Sequence, residues 1–440
     1  MRNRIKILSF PIVLFIFIVP LHTNAARLWT SGCEFQGDSP GTVTDGLEFD
    51  NTQSGSNSMV ISTVQVRSGI SACRANQIGL LGSGPRVGAV LLSTATSSNL
   101  YARTYLYIST MATTTIPAKI IAFWDRGVDA YEGGIALNPN GKLTYMDDNV
   151  APVATSTLAL TTGVWYRIEL NYNDVSGGEL LIDGVSQFTI GSHNGDAVDS
   201  VFFGCEANNT SNCGADLYFD DMAVNDSTGS LQNSWPGAGS VINMQPDSAG
   251  DVNNCAAGDV TSIDEITPDD ATTICTLTTD AGGDNIDVNT ESSSSAGINS
   301  SNSITLVQVG AREGATTAAA ESWTVGIKSA SGGTTLAGTT VSDSLTTYQT
   351  NGQTVNVPRS YSLTSYTDPT TGIAWTPTGT NSLDNMQIRG HSVDGNPDIK
   401  LSTLWAIVEY IPNIISTIIN TPTIKSLSGT LIINGQIIIQ

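Results

Sequence analysis

Histidine is nearly absent from this chain, and that narrows the chemistry it can do. The three histidines are His22, His193 and His391. His22 lies in an apolar N-terminal run, and the other two fall in different predicted units. A Ser-His-Asp triad or a His-rich zinc site therefore has no partners to assemble from. What remains suited to holding a ligand is a set of aromatic and planar polar groups. Phe123-Trp124-Asp125-Arg126, followed by Tyr131, ends a predicted strand and enters a Gly-containing loop; Tyr145, Asp147 and Asp148 follow on the next strand and turn. An exposed Trp or Tyr presents an apolar face with a polar handle, the combination that sugar binding uses. The competing reading makes Trp124 and Tyr145 core residues, as Trp165, Trp375 and Trp405 are read to be. Glu169 stands alone on its strand, without a second carboxylate at period two. Asn208, Asn209 and Asn225 begin N-x-[ST] sequons.

The start of the chain predicts export. Arg2, Arg4 and Lys6 precede an apolar run from Ile7 to Leu21, and Thr23 and Ala25 are small enough for a signal-peptidase site. Residues 1–25 are read as a signal peptide, with an uncleaved anchor as the alternative. Their removal takes away three basic residues and no acidic ones, moving the net charge from −22 to −25. Phosphate binding needs a basic surface, so no nucleic acid partner is expected. No membrane span is expected in the mature chain. An even cysteine count in an exported chain favours disulfides over free thiols. Proximity suggests Cys33–Cys73, Cys205–Cys213 and Cys255–Cys275, although the sequence leaves the connectivity open.

Among the elements that must carry these residues, Gly163–Gly184 has the clearest pattern. Trp165, Arg167, Glu169 and Asn171 alternate with Tyr166, Ile168, Leu170 and Tyr172, the period of a half-buried strand. Asn173–Gly178 supplies a turn, Glu179–Ile182 a returning strand, and Asp183-Gly184 a tight-turn dipeptide. Short apolar runs between turn signals recur through residues 27–230, ending in LYFDDMAV at Leu217–Val224. No segment sustains a helical period, so the expected fold class is all-β: a jelly-roll sandwich over 26–230, a linker over 231–248, a second β-sandwich over 249–412 and an Ile-rich strand tail over 413–440. Asn434-Gly435 between Ile432-Ile433 and Gln436-Ile437 predicts a hairpin in the tail, and with it pairing onto the second unit or between copies as a homo-oligomer.

The WYRIEL strand, the LLIDG turn and the LYFDDMAV strand together resemble concanavalin A-like, laminin-G-like jelly rolls. The resemblance implies a fold shared by lectins, adhesins and glycoside hydrolases. Laminarinase-type members carry E-x-D-x-E or E-x-D-x-x-E on one strand, and no such run is present. Lectin-like relatives place an Asp on the closing strand as a calcium ligand, and Asp220 stands at that position; the alternative is a solvated strand-end carboxylate. A structural Ca2+ is thus the one cofactor the resemblance suggests. In the second unit, TDPTTGIAWT at Thr367–Thr376 and the strand ending Val408-Glu409-Tyr410 resemble β-rich modules of phage tail-associated proteins. The expected function is a secreted or cell-surface, non-catalytic binding or adhesion protein that recognises a glycan or another protein. A structural, phage-tail-like assembly protein is the alternative, and a polysaccharide-degrading enzyme is the third reading.

Overall fold

The computed structural model describes residues 27–34, 48–49, 51–53, 59–78, 85–92, 95–96, 99–112, 117–192, 195–206, 213–265, 273–278, 283–318, 321–343, 349–350, 363–394, 398–413, 430–433 and 436–439. The signal-peptide segment, His193, the sequons at Asn208 and Asn209, and the Asn434-Gly435 turn lie outside the described residues. Among those described, regular structure is strand throughout, apart from two 3-10 turns at Val260–Ser262 and Leu383–Asn385. All named strand pairs run antiparallel.

The first unit is two facing sheets. Sheet A runs Val185–Ile190, Gly177–Ile182, Trp165–Asn173, Leu100–Thr110, Asp216–Asp226, Ala72–Asn76 and Val60–Ser62, with Arg27–Ser31 also paired to Asp216–Asp226. Sheet B runs Pro152–Ala159, Lys142–Asp147, Ala130–Leu137, Ala118–Asp125, Ser200–Glu206, Arg86–Val90 and Asn51–Gln53. The predicted hairpin is present: Ile168, Leu170 and Tyr172 turn into the core, and Trp165–Asn173 pairs with Gly177–Ile182. Asp183 and Gly184 both take positive φ, 52° and 81°, as the tight turn requires. The closing strand Asp216–Asp226 is buried along its whole length. One core fills the space between the sheets, with Phe123, Tyr145, Tyr172, Phe203 and Phe219 among its largest members.

The second unit is a further pair of sheets. Sheet C runs Ser240–Met244, Ile399–Ile411, Ser303–Ala315 and Gln349–Thr350, with Cys275–Leu277 and Leu363–Ser365 at its sides. Sheet D runs Pro246–Asn253, Asn285–Thr290, Gln387–Asp394, Glu321–Lys328 and Leu336–Ala337, with Val341–Asp343 on Glu321–Lys328. The expected linker is shorter than 231–248. Ser240–Met244 alternates apolar residues in register with Val408 and Ala406, so it is an edge strand of sheet C rather than a connector.

The three proximal cysteine pairs are all formed: Cys33–Cys73, Cys205–Cys213 and Cys255–Cys275. The tail forms a hairpin of Thr430–Ile433 with Gln436–Ile439, paired only with itself among the described residues.

Candidate functional site

Strand alternation splits the predicted ligand residues between the two faces of sheet B. Phe123 turns inward, its ring 4.9 Å from that of Tyr172. Trp124 turns to the outer face, where it joins Ala122, Tyr131, Ala136, Met146, Phe202 and Val150 in an apolar cluster separate from the core. Trp124 meets Tyr131 and Phe202 edge-on, with centroids 6.3 Å and 5.8 Å away. A register shift between Phe123 and Trp124 brings Tyr131 opposite Trp124 on this face. Gly88 makes the space for Phe202: a Cβ there would lie 2.4 Å from the ring.

Two cations lie over these rings. The Arg86 guanidinium is 4.6 Å from the Trp124 centroid and 4.4 Å from that of Phe202, and Lys119 Nζ is 4.3 Å from that of Tyr131. Such contacts are favourable, and more so where water is excluded. The Trp124 indole N–H donates to Asp129 at 3.3 Å, and the Tyr131 hydroxyl donates to the Met146 carbonyl at 3.1 Å. The other predicted residues do structural work. Asp125 accepts the Gly127 N–H at 2.7 Å and shapes the loop. Arg126 pairs with Asp199 at 3.2 Å and donates to the Leu92 carbonyl. Tyr145 is 0% exposed in the inter-sheet core, where burial pushes its hydroxyl pKa well up, so a surface ligand does not reach it. Sequence reading missed Arg86, Lys119 and Phe202. Their period-two positions show which face they share within a strand, but only cross-strand register places them beside Trp124.

Asp220 lies at the other end of the first unit, where sheet A meets the second unit. The closing strand shifts register between Asp220 and Ala223, and Asp221 takes a positive φ of 49° there. This bulge presents two adjacent carboxylates instead of one. Asp220 is fully buried, and its oxygens accept N–H groups from Arg67 at 2.9 Å, Ser68 at 3.4 Å and Asp221 at 2.8 Å. Asp221 pairs with Arg67, accepts from the Ser68 hydroxyl at 2.5 Å, and accepts the Val241 N–H of the second unit. Glu34 accepts the Ile70 N–H at 2.9 Å. Burial, then Asp221 and Glu34, push the Asp220 carboxyl well above the ordinary range. Glu34 is raised in the same way, by burial first and then by Glu48 and Asp221. No three His, Cys, Asp or Glu side chains among the described residues form a coordinating group.

Beside this bulge, charged groups of both units meet in the interior. Glu409, on the strand ending Val408-Glu409-Tyr410, pairs with Arg27 at 3.0 Å and Arg103 at 2.6 Å, and all three are buried. Glu169 also faces this junction: it pairs with Arg167 at 2.9 Å and accepts the Gly237 N–H at 2.7 Å.

No protein-family profile matches the chain, and none of the curated proteins does. Among solved structures, the chain is similar to the Cellulose induced protein Cip1 at 17% identity and a TM-score of 0.32, over 42% of this chain and 89% of that one. It is similar to a mutant of Trypanosoma rangeli sialidase displaying trans-sialidase activity at 12% identity and a TM-score of 0.29, over 40% of this chain and 28% of that one. The chain thus spans under a third of that sialidase. A third likeness is to the carbohydrate binding module CBM66 from Bacillus subtilis, at 8% identity and a TM-score of 0.28, over 42% of this chain and 99% of that one. The β-sandwich assignment follows from the strand topology above, independently of these overlaps.

Proposed function

We propose that this is a secreted, non-catalytic binding protein whose first sandwich recognises a glycan at the outer face of sheet B, with Trp124 as the principal contact. The carrying observation is the aromatic cluster on that face. Trp124, only partly buried, packs on the buried Tyr131 and Phe202 in a cluster separate from the inter-sheet core, which leaves it as the aromatic that this face presents to solvent. Arg86 and Lys119 place positive charge over the rings of this cluster. The neighbouring acids support binding over hydrolysis. Asp125 holds a turn and Asp199 holds Arg126, whereas retaining or inverting chemistry needs a pair of free carboxyl groups across the bond to be cleaved. The apolar N-terminal run and three disulfides support an exported protein.

A glycan array probed with the full chain tests this reading, together with Trp124→Ala. We expect selective binding by the wild type and a loss of about tenfold or more in the variant. Its melting midpoint should stay within about 4 °C, because Trp124 lies outside the main core. Absence of wild-type binding, or an unchanged Trp124→Ala, would overturn it. The assembly reading draws on the C-terminal hairpin, since an isolated hairpin is marginal in water. Sedimentation of the same samples separates the two readings: a stable oligomer that binds no glycan supports assembly.

A structural calcium at Asp220 belongs to the same proposal. Asp220 offers the hard carboxylate oxygen that calcium takes, and Asp221 and Glu34 beside it do not form a coordinating group with it. Their mutual repulsion is opposed at close range by Arg67. The N–H groups already bonded to these oxygens leave further lone pairs on each carboxylate.

A further inference from the structure

The junction of the two units contains a cleft of about 530 Å³ that the Trp124 site does not involve. Glu34 and Ile70 of the first unit form one wall; Asn243, Gln245, Glu291 and Tyr410 of the second form the other. Its size falls within the usual range for small-ligand sites, about 300–1,000 Å³.

The second wall is the free edge of Ser240–Met244, whose opposite edge pairs with Ile399–Ile411. Along an antiparallel edge, backbone groups point outward at every second residue. Val241 points outward, donating its N–H to Asp221 and accepting from the Ser68 hydroxyl. Gln245 also points outward, exchanging hydrogen bonds with Glu291: its N–H donates to the side chain at 3.2 Å and its carbonyl accepts the Glu291 N–H at 2.9 Å. Asn243, midway between them, therefore turns its own N–H and carbonyl toward the cleft. Its side-chain amide is also unsatisfied: neither Nδ2 nor Oδ1 has a hydrogen-bond partner among the described residues, and Gln245 Oε1 has none. Buried amide groups left unpaired cost about 1–3 kcal/mol each, so a wall that keeps them calls for an explanation.

The charge on the walls restricts the ligand. Glu34, Asp247 and Glu291 line the cleft and no Lys or Arg among the described residues does, which disfavours an anion. A primary amide offers a donor and an acceptor side by side, matching vicinal hydroxyls that each donate and accept. Ile70, 58% exposed, supplies apolar surface for the C–H face of a ring. We infer that this junction cleft is a second ligand site, which takes an uncharged sugar of one or two rings through Asn243 and Gln245. Both amide atoms of Asn243 are buried, so the inference requires this side chain to turn into the cleft when the sugar binds.

Isothermal titration of the full chain with cellobiose, maltose and lactose, and with glucuronate as the anionic control, tests the inference. At least one neutral disaccharide should bind and glucuronate should not. Asn243→Ala should weaken binding about tenfold or more. The melting midpoint of Asn243→Ala should be unchanged or higher, since the substitution removes an unpaired amide. The inference fails if none of the three disaccharides binds, if glucuronate binds as well as they do, or if Asn243→Ala binds normally. It also fails if Asn243→Ala loses binding together with a lowered midpoint, which would make Asn243 a structural residue. Loss of binding in Trp124→Ala alone would assign the sugar to the sheet B face and likewise overturn it.

Discussion

Asp220 and Glu34 show how one residue's environment sets its role. Each carboxyl is held well above the ordinary range by burial first and by neighbouring acids second. The linkage sign follows from that direction. A carboxyl whose folded pKa exceeds its unfolded value contributes stability that is fully present below the unfolded pKa, and that stability is lost as pH rises through the folded pKa. In chelator, the protein should therefore lose stability as pH rises from acid toward neutral. Calcium should restore the loss at neutral pH, because a cation bound only by the folded state stabilises it by mass action. Glu34→Gln should raise the neutral-pH midpoint in chelator and shrink the calcium effect. Melting curves across pH, with calcium or chelator, check this. Identical curves in the two buffers would rule out the metal, and a profile flat in pH would remove the carboxylate repulsion as well.

Among the elements, the TDPTTGIAWT segment has a local physical account. Asp368 accepts N–H groups from Thr370 at 2.6 Å and Thr371 at 2.9 Å and the Ser329 hydroxyl at 2.9 Å, closing the turn onto sheet D. Gly372 takes a φ of 70°, and Trp375 then plugs the second core at 2% exposure with its indole N–H on Ser365. Asp368→Ala leaves the Thr370 and Thr371 N–H groups without this acceptor. We expect a loss of about 1–3 kcal/mol, read as a lower denaturant midpoint with an unchanged slope. An unchanged midpoint would mean that Trp375 alone holds the segment. Elements of this kind were legible in the sequence because their signals are local: the Trp165–Ile182 hairpin, the Asp183-Gly184 turn and the near-neighbour cysteine pairs. The Asp220–Asp221 bulge was not, because LYFDDMAV reads as an uninterrupted strand and the bulge depends on which neighbours pair on either side. Strand Ser240–Met244 was hidden by the Gly- and Pro-rich residues before it. The sheet B face was half legible: Trp124 stood out by type, whereas Arg86 and Lys119 join it only through register.

For the whole molecule, what joins the two sandwiches is charge taken out of water. Glu409 is separated from Arg27 and Arg103 by hundreds of residues, so no local pattern announces the contact, yet all three side chains are buried where the units meet. Burial alone would raise the Glu409 carboxyl; Arg27 and Arg103 outweigh it and hold the group below its ordinary value. Thr305 donates to the same carboxylate at 2.9 Å. The sign here is opposite to that at Asp220. A depressed carboxyl contributes stability that is present above its unfolded pKa and is lost as pH falls through the folded pKa. Acid should therefore loosen the junction while relieving the repulsion at Asp220. Removing one member of a buried ion pair leaves the others uncompensated, at a cost of about 3–5 kcal/mol. Each sandwich keeps its own core, so that cost falls on their docking. Calorimetry of the wild type at neutral pH should give a single transition, and Glu409→Gln should lower it or split it into two, one for each sandwich. A single transition at the wild-type midpoint in Glu409→Gln would show that the units stay docked without the ion pairs.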